Sequence, residues 1–170
     1  MYVLSAARRV VAVAAAFLSA GLAKEESCLW ILPPPLTISS ALDELAHHGL
    51  DGSALLAAEQ LHISSAEYRY GDGTFDVDDS LDRLAALPAR ARQLGYVSVR
   101  AAGGPKPFTS IESRQAFMRY EHQATTIIAA SPMIALCCQA SIQSLEADTF
   151  KIMRAHPQTL LRTHTGWAGI

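Results

Sequence analysis

The stretch that most constrains the fold is Gly95 to Gly104, which reads Gly-Tyr-Val-Ser-Val-Arg-Ala-Ala-Gly-Gly. A short β-branched run between glycines predicts a buried strand, Tyr96 to Arg100, that stops in a sharp turn. In an open α/β sheet the turn beyond a strand's carboxyl end faces the crevice where ligands bind, because backbone N–H groups there lack ladder partners. Arg100 and Gly103 thereby become candidate site residues. A buried arginine needs a counter-charge, since an unpaired buried ion costs several kcal/mol. Two partners fit the sequence: Glu121 in a structural pair, which is the preferred reading, and a bound anion.

The rest of the chain alternates in the same way. Cys28-Leu29-Trp30-Ile31-Leu32 is an apolar run of strand length, ended by Pro33-Pro34-Pro35, which cannot donate to a sheet ladder. Leu61-His62-Ile63 opens a second strand, with the chain to Tyr70 staying extended. Met133 to Cys138 reads as a strand covered on both faces, and Thr159 to Thr163 as a last one. Between them lie helical patterns. Ser39 or Ser40 caps one that stops at His47-His48-Gly49, and Asp51 to Ala58 forms a short turn. Asp76, Asp78 and Asp79 open another, which Pro88 should kink or break. Ser110 caps a long amphipathic helix carrying Ile111, Phe117, Tyr120 and Ile127, and Leu145, Phe150, Ile152 and Met153 mark a final helix. Strand and helix in alternation predict an α/β fold, a mainly parallel sheet with helices on both faces. A chain of 170 residues, half of them hydrophobic, supplies one core, so residues 1–170 are read as a single domain.

The amino terminus admits two readings. Arg8-Arg9, the apolar run Val10 to Ala20 and the small residues after it have the zones of a secretory signal. Val3, Ala7, Val10, Ala14, Phe17 and Leu18 also fall on one helical stripe, as a core helix requires. The packed helix, capped by Ser5, is the reading carried forward, and with it a cytoplasmic location. The apolar run is too short to span a bilayer, and a net charge of -2 gives no basic face for nucleic acid.

Chemistry is sparse. Gly103 to Thr109 lacks the glycine-lysine-serine/threonine run that holds phosphates, which argues against an ATPase. Three cysteines, two of them adjacent, argue for reduced thiols rather than a disulfide framework. His47 and His48 read as a helix stop. A site joining a cysteine to His156 or His164 is allowed in space, but no ligand spacing supports one, so neither a metal nor a cofactor is expected. Cys137 in an apolar strand reads as core, and His122 as part of a solvated face.

Taken together, these residues resemble the MEDS family, the methanogen/methylotroph sensory domain of the dichloromethane-metabolism regulator. The resemblance rests on Phe17 to Leu22, Glu26 to Ile31, Gly71 to Asp76, Gly95-Tyr96 to Gly103, Tyr120-Glu121, Ala135 to Cys137 and Arg154-Ala155-His156-Pro157. It implies a fold similar to KaiC-like and RecA-like ATPases with the phosphate loop lost. It also implies sensing of small molecules such as hydrocarbon derivatives, coupled to a histidine kinase, an anti-sigma-type element or a DNA-binding regulator. Here that partner would be another chain. Departures accompany it: only Met1-Tyr2 matches the end of the family's first strand, so that strand is expected to be missing and a sheet edge left for a partner. Gly104 and Phe108 stand where the family commonly has an acidic residue and a tryptophan, and Cys138-Gln139 replaces its polar pair.

The leading expectation is a non-catalytic sensory domain with no direct contact to nucleic acid or membrane. Its small-molecule ligand would be lined by Trp30, Pro33, Arg100, Gly103, Phe108 and Cys137, with Tyr120 and Glu121 behind. Two alternatives stand beside it: an interaction domain that assembles, for instance as a homo-oligomer, through an exposed sheet edge, and a hydrolase-type enzyme using Cys137 or Glu121.

Overall fold

A computed structural model describes residues 6–70, 75–104, 110–138, 156–158, 160–162 and 167–169. The first helix, α1 (Ala6–Leu22), buries Val11, Ala14, Ala15, Leu18 and Leu22. This is one apolar stripe at three- and four-residue intervals, centred on Val11 rather than the expected Val10. The predicted Ser5 cap lies outside the described residues. The chain then enters β1 (Ser27–Leu32), buried along its whole length.

Two short helices follow, α2 (Ile38–His47) and α3 (Gly52–Ala57). The cap of α2 is Thr37, not Ser39 or Ser40. Ser40 fills the third position and reaches back to the Thr37 amide, closing a capping box. The helix stops at Gly49, whose φ of 75° suits a residue without a side chain. Asp51 caps α3 by accepting from two backbone amides.

Next come β2 (Leu61–Ser65) and α4 (Ala66–Tyr70), so the segment to Tyr70 coils into a helical turn instead of staying extended. Ala66 is fully buried against β1, which rewards the turn. Asp76 caps α5 (Val77–Gln93), and this helix runs through Pro88 without the predicted break. Proline removes one backbone hydrogen bond, but Leu81 and Leu84 before it and Ala91 after it are all buried on the same face, and tertiary packing decides helix stability.

The next strand, β3, is Val99–Gly103, three residues later than expected. Arg100 is therefore its second residue, not its last, and Tyr96 to Ser98 precede it. Ser110 caps α6 (Ile111–Ala129) with Ser113 completing a capping box. That helix buries Ala116, Phe117, Tyr120 and Ala124, while Ile111, expected on the buried stripe, is exposed. The last strand of the sheet is β4 (Met133–Cys137). A separate antiparallel pair, β5 (Leu160–Arg162) and β6 (Trp167–Gly169), completes the described chain. The expected helix around Leu145 to Met153 lies outside the described residues.

The four sheet strands are all parallel, in the order β2-β1-β3-β4. Each is hydrogen-bonded to its neighbour, so no vacant position lies between them, and among the described residues the edges are β2 and β4. Ile134 is about half exposed and Ala135 is exposed, so β4 is an edge strand and not covered on both faces as predicted. Because the order turns back at β1, α1 and α2 fall on one face and α5 and α6 on the other, a three-layer arrangement. The period of two along each strand then assigns every side chain to a face. Cys28, Trp30, Leu32, Arg100 and Ala102 point toward α1, while Leu29, Ile31, Val99, Ala101 and Gly103 point toward α5 and α6.

Candidate functional site

Arg100 lies on the α1 face, 9 % exposed, and its partner is Glu26 rather than Glu121. Its Nε donates to Glu26 Oε2 at 2.5 Å, Nη2 to Oε1 at 3.3 Å and Nη1 to the Phe17 carbonyl at 3.3 Å. The guanidinium carbon sits 4.7 Å from the centre of the Phe17 ring, within cation–π range. Phe17 and Gly21 are one turn apart on α1 and bracket the pair. A Cβ on Gly21 would come within 2.6 Å of Glu26 Oε2 and 2.7 Å of Arg100 Cδ, so the helix approaches only because that position has no side chain. The Glu26 hydrogen bond raises the arginine's already high pKa further. Beside it, burial, with Glu26 next to it, pushes the Cys28 thiol up to about 12. The Phe17-to-Cys28 stretch is thus a structural clamp, and Arg100 is not available to a ligand.

The opposite face holds a cavity of about 260 Å³. Leu29, Ile31 and Ala101 form its floor on the sheet, and Phe117, Ala124 and Ile128 of α6 form its roof. Polar groups also line it: Arg69, Tyr120, Glu121, Thr125, Cys137 and His156. The volume approaches the lower end of small-molecule pockets, roughly 300 Å³. An apolar chamber with a few convergent polar groups is the usual form of such a pocket.

Each polar group is placed by its element. Tyr120 and Glu121 follow Phe117 on the inner side of α6, and Tyr120 packs edge-on to Phe75 with ring centres 5.4 Å apart. Burial, reinforced by the neighbouring Glu121, pushes the Tyr120 phenol up to about 12. Cys137 ends β4 opposite Gly103, and the amide of Cys138 donates to the Gly103 carbonyl at 2.6 Å, which fixes the strand end. A Cβ on Gly103 would lie 2.7 Å from Ile31 Cβ, so this strand pair closes tightly at the rim. His156 Nε2 stands 3.3 Å from Glu121 Oε2. Burial pushes the Glu121 carboxyl above its ordinary range, and the adjacent imidazole acts in the opposite direction. One donor atom from each of Glu121, Cys137 and His156 lies within 4.8 Å of the other two.

Of the eight residues the sequence nominated, Gly103, Tyr120, Glu121 and Cys137 line this one cavity. Trp30 is 1 % exposed in the α1-side core, on the other side of the sheet. Pro33 caps the end of β1 near Gly104 and does not line the cavity. Arg100 is in the clamp, and Phe108 lies outside the described residues. The sequence reading missed Arg69 and did not place His156. Arg69 was hidden because α4 was read as extended chain. His156 stood in the motif Arg154-Ala155-His156-Pro157, and its pairing with a cysteine lacked a ligand spacing because the three groups come from separate elements.

A search of curated proteins returned no match. The family model for the MEthanogen/methylotroph, DcmR Sensory domain matches residues 1–157, and the sequence segments and parallel three-layer sheet described above agree with it. The chain therefore belongs to the MEDS family of sensory domains.

Proposed function

We propose that this chain is a single, non-catalytic sensory domain of prokaryotic signal transduction, and that the α5/α6-side cavity receives its ligand. MEDS is a family of sensory domains, and the observation that carries the reading is the cavity itself: about 260 Å³, apolar on floor and roof, with a few polar groups in its lining. That shape suits a small organic molecule with a hydrocarbon body and one polar head. Arg69 and Tyr120 would orient an oxygen or carboxylate while Ile31 and Phe117 exclude water from the body. Signalling to a kinase, anti-sigma-type or DNA-binding partner in another chain requires that the ligand favour one of two arrangements of the walls. α4 and the stretch around His156 are the short elements that border the cavity.

The test is a thermal-shift and calorimetric screen of short-chain alcohols, haloalkanes and carboxylates. A true ligand raises Tm with the logarithm of its concentration once that exceeds Kd, and Ala124→Leu, which fills the chamber, abolishes the shift. No shift with any compound, or shifts that survive Ala124→Leu, would remove the reading. The contact among Glu121, His156 and Cys137 favours one other reading, a thiol hydrolase in which His156 takes the Cys137 proton. It predicts turnover of an ester or thioester panel that Cys137→Ala eliminates.

No helix among the described residues is long and apolar enough to cross a membrane.

A further inference from the structure

Glu121, Cys137 and His156 come from three separate elements and meet at the cavity wall, with one donor atom of each within 4.8 Å of the others. We propose that they form a binding site for a divalent zinc-class ion, with a fourth position open to the cavity. Three observations converge on this.

The first is the donor set. One sulfur, one imidazole nitrogen and one carboxylate oxygen suit zinc and its neighbours, whereas magnesium and calcium take several oxygens. The second is distance. Zinc bonds of about 2.3 Å to sulfur and about 2.1 Å to nitrogen and oxygen set tetrahedral donor atoms roughly 3.5 Å apart. Glu121 and His156 already stand 3.3 Å apart, and the Cys137 sulfur lies within 4.8 Å of both donor atoms. The third is charge. Glu121 and His156 are 12 % and 23 % exposed and Cys137 is half-buried, so a carboxylate and a thiolate here are partly removed from water. A divalent ion cancels their two negative charges and leaves neutral imidazole as the third ligand.

Three protein ligands facing a chamber are the arrangement of an open zinc site, not a closed structural one. The open position would be taken by water or by a heteroatom of whatever occupies the cavity. The metal site does not depend on an organic guest: it stands or falls on the three side chains alone.

Cobalt reports on it directly. The full chain, reduced and stripped of metal with a chelator, is titrated with Co²⁺ and then with Zn²⁺. The expected result is one Co²⁺ per chain, with thiolate charge-transfer absorption and the intense visible bands of a four-coordinate site, both lost as Zn²⁺ displaces it. Cys137→Ser removes the charge-transfer band. His156→Gln and Glu121→Gln each weaken binding at least about 100-fold, more than the roughly 10–100-fold cost of losing an outer partner of a metal ligand. Cys28→Ala and Cys138→Ser leave the spectrum unchanged, because Cys28 packs on the α1 face and Cys138 against that same core. Absence of a thiolate band at excess Co²⁺, or a band that survives Cys137→Ser, overturns the proposal. If Cys137→Ser fails to fold, the His156→Gln and Glu121→Gln titrations decide alone, and unchanged affinity in both overturns it. The organic-ligand screen with and without Zn²⁺ is a separate readout, so a negative screen leaves the metal result intact.

Discussion

Each face of this sheet sets an acidic side chain against a basic one, and the two pairs are opposite in character. On the α1 face Arg100 and Glu26 are sealed, held by two side-chain hydrogen bonds with a third to the Phe17 carbonyl. On the α6 face Glu121 and His156 meet at a single 3.3 Å contact, beside a cysteine and an open chamber. The first pair makes its hydrogen bonds to protein in a packed interior. The second pair lies next to space. Burial of charge is therefore a poor guide to function, and burial of charge beside a cavity is a better one.

The comparison predicts its largest difference on removal of one partner. Arg100→Ala strands the Glu26 carboxylate in a packed interior, and loss of one member of a buried pair costs about 3–5 kcal/mol. Urea midpoints measure it. Replacing both, Arg100→Met with Glu26→Leu, should recover most of that loss, since a buried pair and an apolar pair of similar size are nearly equivalent. A single variant as stable as the parent would mean that the clamp is open to water after all.

Packing gives the next contrast. Ala41 on α2 is fully buried in the α1-side core, while Ala124 on α6 is 5 % exposed and lines the cavity. Ala41→Leu inserts methylenes where no space exists and should cost about 1–3 kcal/mol. Ala124→Leu enters the chamber and should change stability by less than about 1 kcal/mol. Equal losses at both positions would show the chamber to be filled in solution.

Much of this division was legible in the sequence. The apolar runs at Cys28 to Leu32 and Met133 to Cys137 declared strands, the alternation declared a parallel sheet, and Ser110 and Asp76 declared their helices. What misled was the placement of β3. Reading Tyr96 to Arg100 as the strand moved Arg100 from the second position to the end and so carried it from the α1 face to the ligand crevice. In a strand the side-chain period is two, and an error of this kind reassigns a residue's role entirely. Trp30 failed for the same reason, because a strand buried on both faces carries no alternation to say which side a given residue takes. Glu121, Cys137 and His156 were each noticed. Their meeting was not, because it depends on tertiary placement of α6, β4 and the chain at 156–158, which no local spacing encodes.

A smaller contrast follows at the second pair. Glu121→Gln keeps the shape of the side chain and leaves His156, 23 % exposed, in contact with solvent. Stability should move by less than about 1 kcal/mol, far below the Arg100→Ala effect. A loss as large as that of Arg100→Ala would place both pairs in the same structural class.

The smallest effect concerns protons. Within the α1-face clamp, burial holds the Cys28 thiol up at about 12, and Arg100 is raised above an already high value. The other face differs. His62 pairs with Leu29 in the β1–β2 register and so shares the cavity side, where burial first and the Arg90 guanidinium second lower its pKa below 6.5, against a weaker opposing pull from Glu59. The folded chain thus prefers neutral imidazole, while the unfolded chain takes up a proton below about pH 6.5. Stability from this group is complete above that pH and declines as the pH falls, with a slope no steeper than about 1.4 kcal/mol per pH unit for one group. His62→Asn removes the titration, so the gap between parent and variant in urea midpoints should narrow or invert between about pH 7.5 and pH 5. Subtracting the two profiles cancels the contribution of Glu121, which both chains share. Parallel profiles would mean that His62 is as well hydrated when folded as when unfolded, and the acid sensitivity of this face would then rest on the residues of the cavity wall.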